Sequence, residues 1–259
     1  MTPTIRDILI KIREQRPFIL NMTDYFPVDL VANGVRSIGA LPIMNNARQE
    51  VQELLNLSKA VVINLGKLDD DFIKLCNHIC KTANQFKIPI ILDPVGAGAS
   101  HYRTDTAIQI INNHAISVIR AYPSEIDGLL SGQIGLQNHN ATNLTVMTEK
   151  AKLLAAKYKL TVVVSGKRHI VADKDRVDSF NFDSNLLQRV AGIGSLLSAI
   201  IGVFHSVEAD RYIAAKNAVE FYAHCVGPTS CDAPGPASLI TRIIDKLYIT
   251  SSEALIQSL

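Results

Sequence analysis

Short, nearly continuous apolar runs alternate along the chain with longer stretches of helical periodicity. The runs are 60–65 (AVVINL), 88–92 (IPIIL), 160–164 (LTVVV) and the shorter 117–120 (SVIR). A strand that is apolar on successive positions is covered on both faces, as in a parallel sheet flanked by helices. Between the runs, helical stretches are predicted near 28–38, 47–58, 69–86, 104–114 and 145–158. Ile5, Ile8, Leu9 and Ile12 show the same spacing at the start. This alternation predicts a layered α/β fold with a largely parallel central sheet. After Val164 the pattern changes. Segments 169–172 and 176–182 predict a hairpin around Asp173-Lys174-Asp175, and three helices follow near 194–206, 208–226 and 236–248. Segment 131–144 is polar and contains glycine, so it is read as a loose surface loop. No linker and no internal repeat breaks the pattern, and 1–259 is read as one domain.

Composition narrows the function. At 259 residues and 47% hydrophobic, the chain can bury a substantial core. Its net charge of +2 provides no strong field for nucleic acid or an anionic membrane. With no tryptophan, a base-stacking platform is not expected. Four cysteines, Cys76, Cys80, Cys225 and Cys231, are too few for a disulfide framework. They are read as buried thiols, not a metal site, in a cytoplasmic protein. Arg6, Asp7, Lys11, Arg13 and Glu14 interrupt any secretory h-region, so no signal peptide is expected. The longest apolar run, 196–204, is broken by Ser198 and falls short of the roughly 20 residues of a membrane span.

Ligands of open parallel sheets sit beyond the carboxyl ends of the strands. After 88–92 comes Asp93-Pro94-Val95-Gly96-Ala97-Gly98-Ala99. A strand-end carboxylate can hold Mg²⁺, and the glycines let backbone approach a ligand. The same residues also fit a tight turn capped by Asp93. Arg120 ends the next run and is either a phosphate clamp or an ordinary strand-end cation. Glu125 follows in Tyr122-Pro123-Ser124-Glu125, where a helix dipole alone favours an acid. Ser165-Gly166 after 160–164 is by itself a turn signal. Ala191-Gly192-Ile193-Gly194-Ser195 leads into an apolar helix, and helix-start amides bind anions. A plain glycine-rich N-cap is the other reading. There is no G-x-x-x-x-G-K-[ST], and His101 stands where a dinucleotide fingerprint needs its third glycine.

In order, these motifs resemble the hydroxyethylthiazole kinases of thiamine salvage, a branch of the ribokinase-like fold. The resemblance covers nearly the whole chain. It runs through Asn21-Met22-Thr23-Asp24-Tyr25, Ala32-Asn33-Gly34, 39–44 (GALPIM), 60–66 (AVVINLG), 93–99 (DPVGAGA), Arg120 with Ser124-Glu125, Ser165-Gly166, and the Gly/Pro residues at 227–228 and 234–238. It implies transfer of the γ-phosphoryl of ATP to the primary alcohol of 4-methyl-5-(2-hydroxyethyl)thiazole, with Mg²⁺, in a homotrimer with sites between subunits. Residue by residue, it implies that Met44 contacts the thiazole and Gly192 the hydroxyethyl side. It assigns Arg120 and Ser165 to ATP, Asp93 and Glu125 to Mg²⁺, and Gly192, Gly194 and Ser195 to the catalytic turn.

The departures cluster at that turn. The family reads T-G-T-G-C there; Ile193 replaces its middle threonine and Ser195 its cysteine, an aspartate in the wider ribokinase group. Tyr122 replaces an asparagine near the metal, and Asp24 and Asp29 also stand at asparagine positions. A missing general base costs about 10²–10⁴-fold in rate. On that reading a cysteine or aspartate at position 195 would raise turnover. The alternatives are a family member that binds thiazole or nucleotide without turnover, and a kinase for another small alcohol.

Overall fold

The computed structural model describes residues 2–23, 28–44, 47–135, 143–181 and 186–256. Asp24, Tyr25, Phe182 and positions 136–142 of the expected loop at 131–144 lie outside the described residues. The elements run α1 (Ile5–Gln15), β1 (Phe18–Met22), α2 (Val28–Ile38), β2 (Leu41–Met44), α3 (Val51–Leu57), β3 (Ser58–Asn64), α4 (Asp70–Gln85), β4 (Ile90–Asp93), α5 (His101–Asn113), β5 (Val118–Ala121) and α6 (Pro123–Ser131). They continue with α7 (Leu144–Tyr158), β6 (Thr161–Val164), β7 (Arg168–Ala172), β8 (Val177–Asn181), α8 (Ile193–His205), α9 (Arg211–Asp232) and α10 (Pro236–Ile256).

The strands form one sheet in the order β2-β1-β3-β4-β5-β6-β7-β8. Pairing is parallel from β2 to β6, and the β7–β8 hairpin extends the sheet antiparallel. The apolar runs are continuous because each strand feeds two cores. Ile19, Val62, Ile91, Val118 and Val163 pack with α1, α2, α8, α9 and α10. Their neighbours Leu20, Val61, Ile63, Leu92, Ile119 and Val162 pack with α3 to α7. Successive strand residues point to opposite faces, so each run must be apolar throughout.

Local chemistry sets the element ends. Thr4 and Asp7 form a capping box at the start of α1, and Arg16 in a left-handed conformation ends it. The Asp69 carboxylate accepts from Phe72 N at 2.8 Å and opens α4. Helix α9 runs past the expected end near 226, through Gly227 and Pro228. The hydroxyls of Thr229 and Ser230 donate to the carbonyls of Cys225 and Gly227 across that step, at 2.7 and 2.6 Å. Cys76, Cys80 and Cys225 are buried free thiols, as expected. Among the described residues, no helix is long and apolar enough to cross a membrane.

Candidate active site

Side-chain alternation puts the strand-end polar residues on one face. Val62, Ile91 and Val118 face α8, so two residues later Asn64, Asp93 and Arg120 face it as well. Asn64 and Asp93 are paired in register at the carboxyl ends of β3 and β4. Helix α8 lies across those strands, with its first turn over this cluster.

Asp93 and Arg120 form a buried ion pair, 0% and 2% exposed, with Nη1 at 3.4 Å from a carboxylate oxygen. Arg120 Nε donates to Ser165 Oγ at 2.8 Å, and the Tyr122 ring centroid lies 4.1 Å from its Cζ. On the carboxylate, Ser198 Oγ and Asn64 Nδ2 donate to Oδ2 at 2.8 and 3.2 Å. Burial pushes the Asp93 carboxyl upward, against the pull of Arg120 and these donors. The carboxylate faces α8 and does not cap its own turn, so the capping reading of Asp93 does not describe this site.

Glu125 ties two strand-end loops together. Its oxygens accept from Gly96 N at 2.8 Å and Tyr122 N at 2.7 Å. Burial, reinforced by the charge of Asp93, pushes its carboxyl up to about 7. The helix-start reading of Glu125 thus holds, and the residue also reaches across to the loop after β4.

The α8 turn differs in detail from the sequence reading. Gly192 is the N-cap with φ 85°, a left-handed conformation that favours glycine, and no side chain caps the helix. That leaves the first amides for a ligand. The Ile193 side chain is buried in the core and does not face the cradle. Gly194 lies against the Arg120 guanidinium, where a Cβ would fall 2.5 Å from Nη2 and 2.6 Å from Cζ. Ser195 Oγ accepts from Asn64 Nδ2 at 3.0 Å. A helix N-terminus and a guanidinium thus converge on one place, which suits an anion.

The glycines of 93–99 serve packing, which corrects their reading as points of ligand approach. A Cβ on Gly96 would meet Arg103 Cδ at 2.8 Å. Arg103 uses that space to clasp the loops after β3 and β4, donating to the carbonyls of Leu65, Val95 and Gly66 at 2.8, 3.0 and 2.9 Å. Gly98 gives way to helix α6.

Asp93, Arg120, Glu125, Ser165, Gly192, Gly194 and Ser195 are therefore brought together. Met44 is not: it ends β2, three strands from Asp93, or roughly 14 Å across the sheet. Asp29 sits in the first turn of α2. The sequence reading missed Asn64, Ser198 and Arg103. Asn64 lies inside the run 60–65, and Ser198 is the break in another. Among the described residues, no three His, Cys, Asp or Glu side chains group as a metal cage.

The hydroxyethylthiazole kinase family matches residues 9–253. The chain is 34% identical to the hydroxyethylthiazole kinase of Vibrio atlanticus, over 100% of this chain and 98% of the relative. It is 32% identical to that of Desulforudis audaxviator, over 95% and 90% of the two chains. The solved hydroxyethylthiazole kinase of Pyrococcus horikoshii OT3 superposes with a TM-score of 0.86 at 29% identity, covering 95% of this chain and 92% of the other. A ribokinase-like superfamily protein of Enterococcus faecalis V583 shares the fold, with a TM-score of 0.67 at 13% identity over 96% and 94% of the two chains.

Proposed function

The chain belongs to the hydroxyethylthiazole kinase family, and from that premise we propose that it phosphorylates the primary alcohol of 4-methyl-5-(2-hydroxyethyl)thiazole with ATP as co-substrate. The family match over residues 9–253 carries this reading. The anion cradle between Arg120 and α8 supports it.

Arg120, held by Ser165 and Asp93, supplies positive charge to the phosphates. The amides at Gly192–Gly194 supply the dipole end of α8. Phosphoryl transfer depends mainly on such positioning and charge stabilisation. Met44 is assigned to the thiazole by resemblance. Its remoteness from Asp93 fits a substrate that enters along the sheet edge, with sites shared between subunits of a trimer.

Asp93 and Glu125 are the residues to hold Mg²⁺. Both carboxyls are buried, Asp93 is paired with Arg120, and the charge of Asp93 raises the cost of charging Glu125. A cation relieves that cost, and Mg²⁺ is commonly held by one or two carboxylates together with substrate phosphates and water. When bound, the ion neutralises charge that builds on the phosphates. The whole site is read as lying in one cytoplasmic domain, 1–259.

The test is ADP release coupled to a chromogenic readout, with hydroxyethylthiazole and Mg-ATP. Release that depends on the thiazole supports the reading. No thiazole-dependent turnover across a wide range of enzyme concentration would overturn it.

A further inference from the structure

The hydrogen bonds around Asn64 decide what Ser195 can do. Asn64 Oδ1 accepts from Gly66 N at 2.8 Å, which orients the amide. Its two N–H hydrogens then point to Asp93 Oδ2 at 3.2 Å and Ser195 Oγ at 3.0 Å. Ser195 Oγ is thereby an acceptor toward the protein. Among the described residues Ser195 Oγ donates no hydrogen bond, and Asp93 Oδ2 already takes Ser198, Asn64 and Arg120. Ser195 is half-buried in the first turn of α8, beside Gly194 and the Arg120 guanidinium.

We propose that Asn64 is a positioning residue that holds Ser195 as a hydrogen-bond donor to the phosphoryl group in transfer, in place of a general base. A hydroxyl that accepts an N–H is a weaker proton acceptor and a stronger donor. Resting on the kinase reading above, the step balances without a serine base. The alcohol oxygen bonds to the γ-phosphorus as the bond from that phosphorus to the β–γ bridging oxygen breaks. ADP leaves with the electron pair, and the alcohol proton passes to a phosphoryl oxygen and on to water. Ser195 keeps its proton throughout.

Four variants test this: Ser195→Ala, Ser195→Thr, Ser195→Asp and Asn64→Ala, with Asn64→Ala also made in the Ser195→Ala background. A lost donor predicts a fall in kcat of about 10²-fold in Ser195→Ala, with KM for ATP within threefold. Ser195→Thr keeps the rate, and Ser195→Asp, which has no proton to give, falls at least as far as alanine. Asn64→Ala costs kcat in the wild type but at most about threefold on top of Ser195→Ala. The ratio of wild-type to Ser195→Ala rates stays constant from pH 6 to 9. A rate for Ser195→Asp equal to or above wild type makes position 195 a base site and overturns the proposal. Binding of ADP with aluminium fluoride, a planar phosphoryl mimic, separates this result from the substrate reading. Wild type should bind the mimic about tenfold more tightly than Ser195→Ala, with ADP alone bound equally. Tight mimic binding without thiazole-dependent turnover would reject the thiazole and retain the serine donor. Equal mimic binding by wild type and alanine rejects the donor.

Discussion

The Arg120 guanidinium rests directly on Gly194, leaving no room for a Cβ between the end of β5 and the start of α8. Arg120 cannot swing aside, because Ser165, Asp93 and the Tyr122 ring hold it on other sides. Gly194→Ala should therefore push the guanidinium from its place and spoil the phosphate cradle. The expected outcome is a KM for ATP raised about tenfold or more, read in the coupled assay, with an overpacking cost of roughly 1–3 kcal/mol. An unchanged KM would show that Arg120 does not serve the nucleotide.

The Asp93–Arg120 pair also makes a prediction that needs no ligand. Removing one partner of a buried pair leaves an uncompensated charge and costs about 3–5 kcal/mol. Arg120→Ala should show that loss in urea denaturation, and Asp93→Asn in the same background should recover part of it. Additive losses in the double variant would mean that the two side chains are not energetically coupled.

Much of this site is readable in the sequence, for a reason that also sets the limit. Central parallel strands are apolar on every position, so Asp93, Arg120 and Ser165 stand out where the runs end. Asn64 falls inside its run, where its neighbours Ile63 and Leu65 disguise it as strand interior. Ser198 interrupts an apolar helix, and only the docking of α8 reveals that positions 195 and 198, one turn apart, both face the carboxylate end of the sheet. Strand β1 contains Asn21 and β2 contains Pro42, so neither reads as an uninterrupted apolar run. Gly96 and Gly98 look like ligand-approach glycines, since a sequence cannot tell whether a side chain, a helix or a ligand fills the space beside them. Helix α9 continues past the end expected near 226, and the hydroxyls of Thr229 and Ser230 donate to the carbonyls of Cys225 and Gly227 there.

Helix α6 and the loop after β4 meet backbone to backbone at Gly128 and Gly98. A Cβ on Gly128 would fall 2.5 Å from Gly98 N and 2.6 Å from its Cα. Backbone atoms cannot move aside as a flexible side chain can. Gly128→Ala should therefore lose about 1–3 kcal/mol or more in urea denaturation, despite the better helix propensity of alanine. Gly135 has nothing within 4 Å and serves as the control, with Gly135→Ala expected within about 0.5 kcal/mol of wild type.

His169 sets part of the acid limit of the fold. It is 3% exposed on β7, edge-on to the Tyr222 ring at 6.1 Å. Burial first, and then the charge of Arg120, push its pKa down to about 3, while a backbone bond to Val164 pulls weakly the other way. In the unfolded chain histidine titrates near 6.5. Between about 6.5 and 3 the unfolded chain thus binds a proton that the folded chain refuses. The sign follows: this contribution to stability is full above 6.5 and is lost as pH falls, by at most about 1.4 kcal/mol per pH unit. His169→Phe keeps an aromatic ring beside Tyr222 and removes the titration. Whatever its stability at pH 7, the variant should lose about 2 kcal/mol less than wild type between pH 7 and pH 4.5. Urea denaturation at several pH values reads this as a difference in slope, and the carboxylates common to both proteins cancel. Parallel slopes would mean that the folded protein accepts the proton on His169, and that the Arg120 charge is screened from it.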